Sequence, residues 1–247
     1  MKRSLTLLLA ASLSFVAACG EKDSSPIQTF SAGKTQSSPA ADSADSRGVS
    51  LVRVVNAASD GKTVSVQLGA TTRFTDVATG GVTDYREVAS NVAQFSVISS
   101  GVADGTMLTQ KDRVLLDGNR YTVFVITQDI SKNVLRIVHD DVIPALGMAR
   151  VRVIHAAPGG PEFDMRATDD TDKLFAGVNF KSEAGFVDVR PKSLALELRA
   201  AGEDRILLKI PAMLLRLGTA TTVVVTGSNT LSYFTFTDAL MKETPKP

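Results

Sequence analysis

The strongest constraint on the fold is an internal duplication with a period close to 100 residues. The segment Val52–Ala58 matches Val151–Ala157 at an offset of 99 positions. A second pair, Gly118–Val125 and Gly218–Val225, matches at an offset of 100. Because the offset is nearly constant over separate segments, the sequence predicts two copies of one domain.

Each copy has the residue pattern of a β protein. Apolar and polar residues alternate in Val64–Leu68 and Leu194–Leu198, as in strands with one buried face. Continuous apolar runs at Val123–Ile126 and Val223–Val225 indicate more central strands. Gly, Asp and Asn turns recur about every ten residues, which is typical of a sandwich or barrel. The one helical candidate is Ala212–Leu217.

The N terminus has the features of a secretory signal. Lys2 and Arg3 precede the apolar stretch Leu5–Ala18, which is shorter than the ~20 residues of a membrane-spanning helix. The sequence Val16-Ala17-Ala18-Cys19 then resembles the lipobox of bacterial lipoproteins. That resemblance implies cleavage after residue 18, a diacylglycerol on the Cys19 thiol and a further acyl chain, such as palmitate, on the new N terminus. Two or more acyl chains anchor a protein stably.

The segment that follows has few large apolar residues. Residues 19–48 are rich in Ser, Ala, Gly and Pro and cannot bury enough surface to offset their ordering entropy. We therefore predict a lipidated flexible linker with a root-mean-square span of roughly 30 Å. The predicted organisation is a signal peptide at 1–18, this linker at 19–48, a first β-sandwich repeat at 49–145, a second at 146–242 and a tail at 243–247.

One motif in the second copy resembles a known family. The stretch Arg152–Met165 is similar to the opening R-V-x-H-A-S-P-x-x-P-x-x-D-V of a bacterial domain of unknown function, with His155 and Asp164 at the expected positions. That family is exported, often occurs in tandem and is taken to be immunoglobulin-like. The resemblance implies two tandem immunoglobulin-like sandwiches and lends no activity. The first copy is diverged, because Asn56 and Ser65 replace the His and the Asp.

His155 and Asp164 are the best candidate pair for chemistry. A strand, a Pro-containing bend and a second strand between them could bring the two side chains face to face. One interpretation is part of a metal or acid–base site; the other is a hydrogen bond that fixes the turn. A metal site needs three or four ligands, and the only other histidine is His139. We favour the structural role and predict no metal and no cofactor.

Two acidic groups are weaker candidates. Asp169, Asp170 and Asp172 could suggest calcium, but their spacing lacks the regular alternation and the glycine of a known calcium loop. A solvated turn is the better interpretation, and Asp140-Asp141 is interpreted in the same way, as a pair that ends a strand. The sequence contains no Gly-x-Ser-x-Gly elbow. We therefore predict that the protein is not an enzyme.

The sequence predicts a location more clearly than an activity. When Lys2 and Arg3 leave with the signal, 27 basic residues fall to 25, against 26 acidic ones, so nucleic acid is not an expected partner. Gly20, after Cys19, favours the outer membrane by analogy with Gram-negative sorting. We predict a lipid-anchored cell-envelope protein that binds an envelope protein or glycan without catalysis. The alternatives are an assembly scaffold acting by strand pairing and, less favoured, a hydrolase using His155 and Asp164.

Overall fold

Sixteen β-strands form four sheets in the part of the chain that the structure describes. It is a computed structural model, and it describes residues 48–69, 72–100, 107–129, 132–140, 143–227 and 230–239. The predicted signal peptide, Cys19, the linker before Gly48 and the tail at 243–247 lie outside these residues. No helix of the described part is long and apolar enough to cross a membrane.

The first repeat contains eight strands in two sheets, ordered β4-β1-β7-β8 and β3-β2-β5-β6. All neighbours are antiparallel except β1 and β7, which are parallel. The strands are β1 (Val49–Asn56), β2 (Val64–Leu68), β3 (Thr72–Val77), β4 (Arg86–Ala89), β5 (Val92–Ser99), β6 (Met107–Val114), β7 (Arg120–Asp129) and β8 (Lys132–His139).

The second repeat has the same topology, with sheets β12-β9-β15-β16 and β11-β10-β13-β14 and a parallel pair formed by β9 and β15. Its strands are β9 (Ala149–His155), β10 (Phe163–Ala167), β11 (Lys173–Val178), β12 (Glu183–Val189), β13 (Ser193–Ala200), β14 (Ile206–Leu214), β15 (Thr219–Thr226) and β16 (Ser232–Ala239).

The prediction of an all-β fold with two tandem sandwiches is therefore confirmed. Each repeat keeps the two-sheet architecture of immunoglobulin-like domains, but the first strand lies between the fourth and seventh strands, unlike the ABED and CFG order of immunoglobulins. The helical candidate Ala212–Leu217 was wrong. Its first three residues end strand β14, because Ser193 and Leu194 of β13 pair with Leu214 and Met213.

Each sandwich has its own apolar core, and a third apolar cluster lies between the two sandwiches. Alternate residues of β1 explain this arrangement: Val52 and Val54 face the first core, whereas Val55 faces the second sandwich. Strand β7 is buried on both faces for the same reason, which accounts for its continuous apolar sequence. The third cluster contains Val55, Ala57, Phe124, Ile126, Val138, Ile154, Ala156 and Val224.

Two reciprocal ion pairs join the sandwiches beside this cluster. Arg53 of the first repeat reaches Asp238 of the second, with two contacts of 2.6 and 2.7 Å. Arg152 of the second repeat reaches Asp140 of the first at 2.7 Å. Arg53 and Arg152 are equivalent in the duplication, and so are their partners, since Asp140 lies opposite Arg120 and Asp238 opposite Ala220. Such an exchange of equivalent contacts is typical of a two-fold symmetric interface.

The same interface continues into each sandwich. The Nε of Arg53 donates to Thr122 at 2.9 Å, and the Nε of Arg152 donates to Thr222 at 2.9 Å. Both arginines are almost fully buried. Asp140 also accepts hydrogen bonds from Thr122 and from Tyr85. Asp140 therefore ends a strand as predicted, but it is buried rather than solvated.

Candidate functional site

His155 is buried at the end of β9 and holds the bend that follows it. The backbone N–H of Ala157 donates to Nδ1 at 3.3 Å, and Nε2 lies 3.1 Å from the carbonyl oxygen of Pro161. A carbonyl oxygen only accepts, so Nε2 carries the proton and Nδ1 is bare. The ring also contacts Phe163 and Phe180. His155 is therefore the neutral Nε2–H tautomer.

Asn56 makes the same two hydrogen bonds in the first repeat. Its Oδ1 accepts from the backbone N–H of Ala58 at 3.1 Å, and its Nδ2 donates to the carbonyl oxygen of Lys62 at 2.9 Å. These partners are the counterparts of Ala157 and Pro161 in the second repeat. A carboxamide thus replaces a neutral imidazole, with the acceptor and the donor at corresponding positions. The first repeat has diverged in sequence here, but its bend keeps the geometry.

Burial lowers the pKa of His155 below its ordinary value, although the contact with Pro161 opposes this shift. The direction agrees with the hydrogen bonds, because a protonated ring could not accept from Ala157. Gly160 lies close to the ring: a Cβ at this position would sit 2.9 Å from Cε1 of His155. The bend is tightly packed around a neutral imidazole.

Asp164 has separate partners from His155. It lies on β10, where its Oδ1 accepts from the backbone N–H of Gly177 at 2.8 Å and its Oδ2 from that of Gly202 at 3.2 Å. The Nζ of Lys173 lies 2.7 Å from Oδ2. The arrangement that the sequence allowed, in which His155 and Asp164 face each other, is not the one in the structure. Each side chain instead holds a different backbone segment.

In the first repeat, a different residue makes the contact that Asp164 makes with the N–H of Gly177. The Oγ of Ser65 accepts from the backbone N–H of Asp76 at 3.2 Å, as Asp164 does from Gly177. Asp76 and Gly177 both have a left-handed backbone, with φ of 53° and 61°. Both lie at an irregularity in the pairing of the second and third strands of their repeat. The contact stabilises the bulged edge strand of each repeat.

A shallow charged cavity of about 190 Å³ lies on the outer face of the second sandwich. Strands β10, β11 and β13 and the loop after β13 line it, and on β10 and β13 the residues that alternate with the core positions point outward. Although burial alone would raise the pKa of Asp164, Lys173 and the N–H groups of Gly177 and Gly202 lower it. The lining residues are Asp164, Arg166, Lys173, Arg199, Gly202, Glu203 and Asp204.

The charges beneath this cavity are organised by Glu197. Its Oε1 accepts from the Nε of Arg199 at 2.7 Å and from the Nε of Arg166 at 2.8 Å. These two guanidinium groups lower the pKa of the Glu197 carboxyl, Arg199 contributing most. Arg199 also contacts the backbone and side chain of Asp204. The arginines are therefore held in place and present their remaining N–H groups near the cavity.

The first sandwich does not repeat the charges of the two central strands, although Arg73 pairs with Gln67 as Lys173 pairs with Arg166. By strand register, Ser65, Gln67 and Ser96 replace Asp164, Arg166 and Glu197. At these described positions, the charges of Asp164, Arg166 and Glu197 therefore belong to the second repeat and not to the shared fold. Such a surface can bind polar or charged groups of a partner.

The remaining sequence candidates are not brought together. Within the acidic segment, the backbone N–H of Asp172 donates to Asp170, as in an Asx turn. Across the described ranges, no three His, Cys, Asp or Glu side chains are grouped in a way that could hold a metal ion. His139 lies beside Tyr121, with 5.5 Å between the ring centroids.

Sequence reasoning missed the residues that join the two repeats. Arg53 and Arg152 stand inside the duplicated motif, between two valines that face the cores. An arginine at the outward position of a central strand was the available signal, since charged residues are rarely buried without a partner. The role of each arginine depends on its ion pair with Asp140 or Asp238 in the other repeat. No local sequence pattern reveals such a pairing.

Comparison with known families gives one informative match. Residues 50–166 match a domain of unknown function, DUF4397. The match begins in β1, includes the first repeat and ends in β10, after the bend held by His155. It stops before β11, so the later strands of the second repeat lie outside it. Over these residues the chain is similar to that domain of unknown function.

Other comparisons add little. No curated protein matches the sequence. A crystal structure of a "putative cell adhesion protein" from Bacteroides ovatus is 12% identical and covers 80% of this chain and 100% of its own, with a TM-score of 0.28. At that score the likeness supports no conclusion about fold or function.

Proposed function

We propose that this protein is a lipid-anchored, non-catalytic interaction module of the cell envelope. A lipid on Cys19 holds it at the outer membrane, and the two sandwiches form one body that presents a binding surface. The observation that carries the proposal is the charged cavity of the second sandwich, in which Asp164, Arg166 and Glu197 stand where the first sandwich has Ser65, Gln67 and Ser96. One copy of a duplicated fold has thus acquired a polar surface that the fold itself does not require.

The partner class follows from the chemistry of that cavity. Arg166 and Arg199 are fixed by Glu197, and half-exposed Lys173 is held by Asp164. Fixed guanidinium groups bind carboxylate and other anionic oxygens with defined geometry. The neighbouring Glu203 and Asp204 offer acceptors for N–H or O–H groups. An envelope protein segment or a glycan with acidic groups fits this mixture.

The structural contacts of His155 and Asp164 favour a supporting role for both residues. The bend and the bulge that they hold exist in the first repeat without a histidine or that aspartate. We infer that His155 shapes the fold, whereas Asp164 both holds the bulge and orients Lys173 at the cavity. Neither residue needs to act on a substrate for its position to be explained.

Photo-cross-linking in living cells tests the interaction surface. A photo-cross-linking amino acid replaces Glu203, which lines the cavity, and in a matched strain it replaces Gln110, which is exposed on the corresponding sheet of the first sandwich. We expect a cross-linked envelope species at position 203 only. Adding Lys173→Ala should remove it, because the partner loses its cation. Equal cross-linking at both positions, or no effect of Lys173→Ala, would contradict the proposal.

Mass spectrometry of the mature protein tests the anchor separately. The expected N-terminal peptide begins at Cys19 and carries a diacylglycerol and an additional acyl chain. A Cys19→Ala protein should lose these lipids and leave the membrane fraction. Recovery of unmodified Cys19 from membranes would refute the lipid anchor while leaving the cavity experiment valid.

A further inference from the structure

The two sandwiches lie side by side and point the same way. Thr226, at the end of β15, donates to the carbonyl oxygen of Ala57, just past the end of β1. Nearer the beginnings of β1 and β9, Arg53 reaches Asp238 and Arg152 reaches Asp140. The starts of β1 and β9 therefore lie on one side of the molecule. We call that side the proximal end and the opposite side the distal end.

The first sandwich exposes apolar side chains at the proximal end. Val49 begins β1 there, and Val92 pairs with Val114 where β5 begins and β6 ends. Leu116 follows in the loop to β7, which is fixed at this end because the N–H of Gly118 donates to Val49. The exposed fractions of Val92, Val114 and Leu116 are 67%, 53% and 58%.

The second sandwich and the segment that joins the repeats extend this surface. Ile143 and Leu146 lie in the connection to β9 and are 80% and 101% exposed. With Leu217 they line an apolar groove of about 310 Å³ beside the start of β9. Leu214, at the end of β14, is 62% exposed on the same side. The groove is lined mainly by carbon, in contrast to the charged cavity.

The distal end exposes far fewer large apolar side chains than the proximal end. Eleven large apolar side chains are exposed among the described residues. Eight of them are proximal, whereas only Val82, Met107 and Ile206 lie toward the distal end. A soluble surface normally scatters such residues singly, and their concentration at one end marks a contact surface.

The sequence before β1 indicates what this surface contacts. Gly48, the first described residue, lies at the proximal end, because its carbonyl oxygen accepts from Ser90. Only 28 residues separate it from Cys19, and a flexible chain of this length spans roughly 30 Å. A lipid on Cys19 would therefore keep the proximal end at about that distance from the bilayer on average. Exposed aliphatic side chains near a bilayer partition into its interface.

We propose that the proximal end docks on the lipid bilayer, with Ile143, Leu146 and Leu217 inserted among the head groups. This inference rests on the proposed anchor and adds an orientation to it: the apolar end lies on the membrane, and the distal end projects away from it. Charges near the proximal end are mixed, since Arg190, Lys192 and Arg216 are balanced by acidic residues such as Asp117 and Asp169. Docking is therefore driven by apolar contact and does not require anionic lipid.

Single-tryptophan fluorescence can test the orientation, because the chain contains no tryptophan. Mature protein beginning at Cys19 is coupled through its single cysteine to a maleimide phospholipid, so the anchor is present whether or not cells lipidate Cys19. Leu146→Trp reports on the proximal end, and Met107→Trp, also 58% exposed before substitution, is the distal control. The vesicles contain phosphatidylcholine with brominated acyl chains, which quench only nearby tryptophan.

We expect the bromolipids to quench Leu146→Trp at least twofold more than Met107→Trp, with blue-shifted emission and little change in 0.5 M salt. Equal, weak quenching at both positions would overturn the proposal. A second result would also overturn it: a blue shift at position 146 that grows with the density of protein on the vesicle but is not accompanied by quenching from bromolipid. That result would indicate contact between copies of the chain. Failure of lipidation in cells would refute the natural anchor without altering these readings.

Discussion

At the scale of single residues, the two repeats satisfy the same backbone groups with different side chains. His155 and Asn56 each accept from the N–H two positions ahead and donate to a carbonyl oxygen six positions ahead. Asp164 and Ser65 likewise accept from the N–H of Gly177 and Asp76. What the fold requires at these positions is a hydrogen-bonding pattern, which more than one residue type can supply.

His155→Asn should therefore lower the free energy of unfolding much less than His155→Ala does. The alanine leaves the Ala157 N–H and the Pro161 carbonyl without partners, which costs about 1–3 kcal/mol. The asparagine can restore both bonds, as Asn56 does, although it fills less space against Phe163. Urea unfolding of the full chain measures both variants. Equal losses of stability would show that ring packing, not hydrogen bonding, fixes the bend.

His155 should also make stability depend on pH. Its pKa is lower in the folded than in the unfolded chain, so the unfolded chain binds more protons below its own pKa of about 6.5. The free energy of unfolding should accordingly fall as the pH decreases through about 6.5. Unfolding midpoints at pH 7.5 and 5.5 measure this, with His155→Asn as the control. An unchanged pH dependence in that variant would mean that other groups cause it.

At the scale of elements, the strands were predictable and their pairing was not. Alternation located Val64–Leu68 and Leu194–Leu198, and the continuous run in β7 indicated a central strand. Strand order needs contacts between distant segments, such as the parallel pairing of β1 with β7, which no local pattern encodes. Ala212–Leu217 was misassigned because Ala, Met and Leu favour helices in isolation, whereas pairing with β13 decides their structure.

The bulge in the first repeat offers a test at this scale. Asp76 has a φ of 53°, where glycine is favoured and where the second repeat has Gly177. Asp76→Gly should raise the free energy of unfolding by about 0.5–1 kcal/mol, since it relieves this strain and leaves the N–H bond to Ser65 intact. Asp76→Ala is the matched control and should not stabilise. Chemical denaturation distinguishes them, and stabilisation by both would implicate the lost carboxylate instead.

At the scale of the whole molecule, the duplication has become a fused pair with a two-fold interface. The equivalent arginines Arg53 and Arg152 cross to equivalent aspartates, and an apolar cluster lies beside them. The sequence indicated the copies through their repeat, but each ion pair joins residues that belong to different copies. The described residues consequently belong to one compact unit. This arrangement fixes the position of the charged cavity relative to the proximal end.

Among the interface residues, substitution of Arg152 should cause the largest loss of stability. It is fully buried and pairs with Asp140 at 2.7 Å and with Glu183 at 3.4 Å. Arg152→Ala leaves a buried carboxylate uncompensated, at a cost of about 3–5 kcal/mol. Arg152→Ala with Asp140→Ala should recover part of the loss. A double-mutant cycle from urea unfolding measures the coupling, and strict additivity would refute a direct pair.

Scanning calorimetry of the mature chain tests most directly whether the two sandwiches form a single body. The account predicts one transition for the native protein, with equal calorimetric and van't Hoff enthalpies. It predicts that Arg152→Ala separates this into two transitions, because the sandwiches lose the more deeply buried of the two ion pairs that join them. Two transitions in the native protein, with temperatures that Arg152→Ala leaves unchanged, would contradict it.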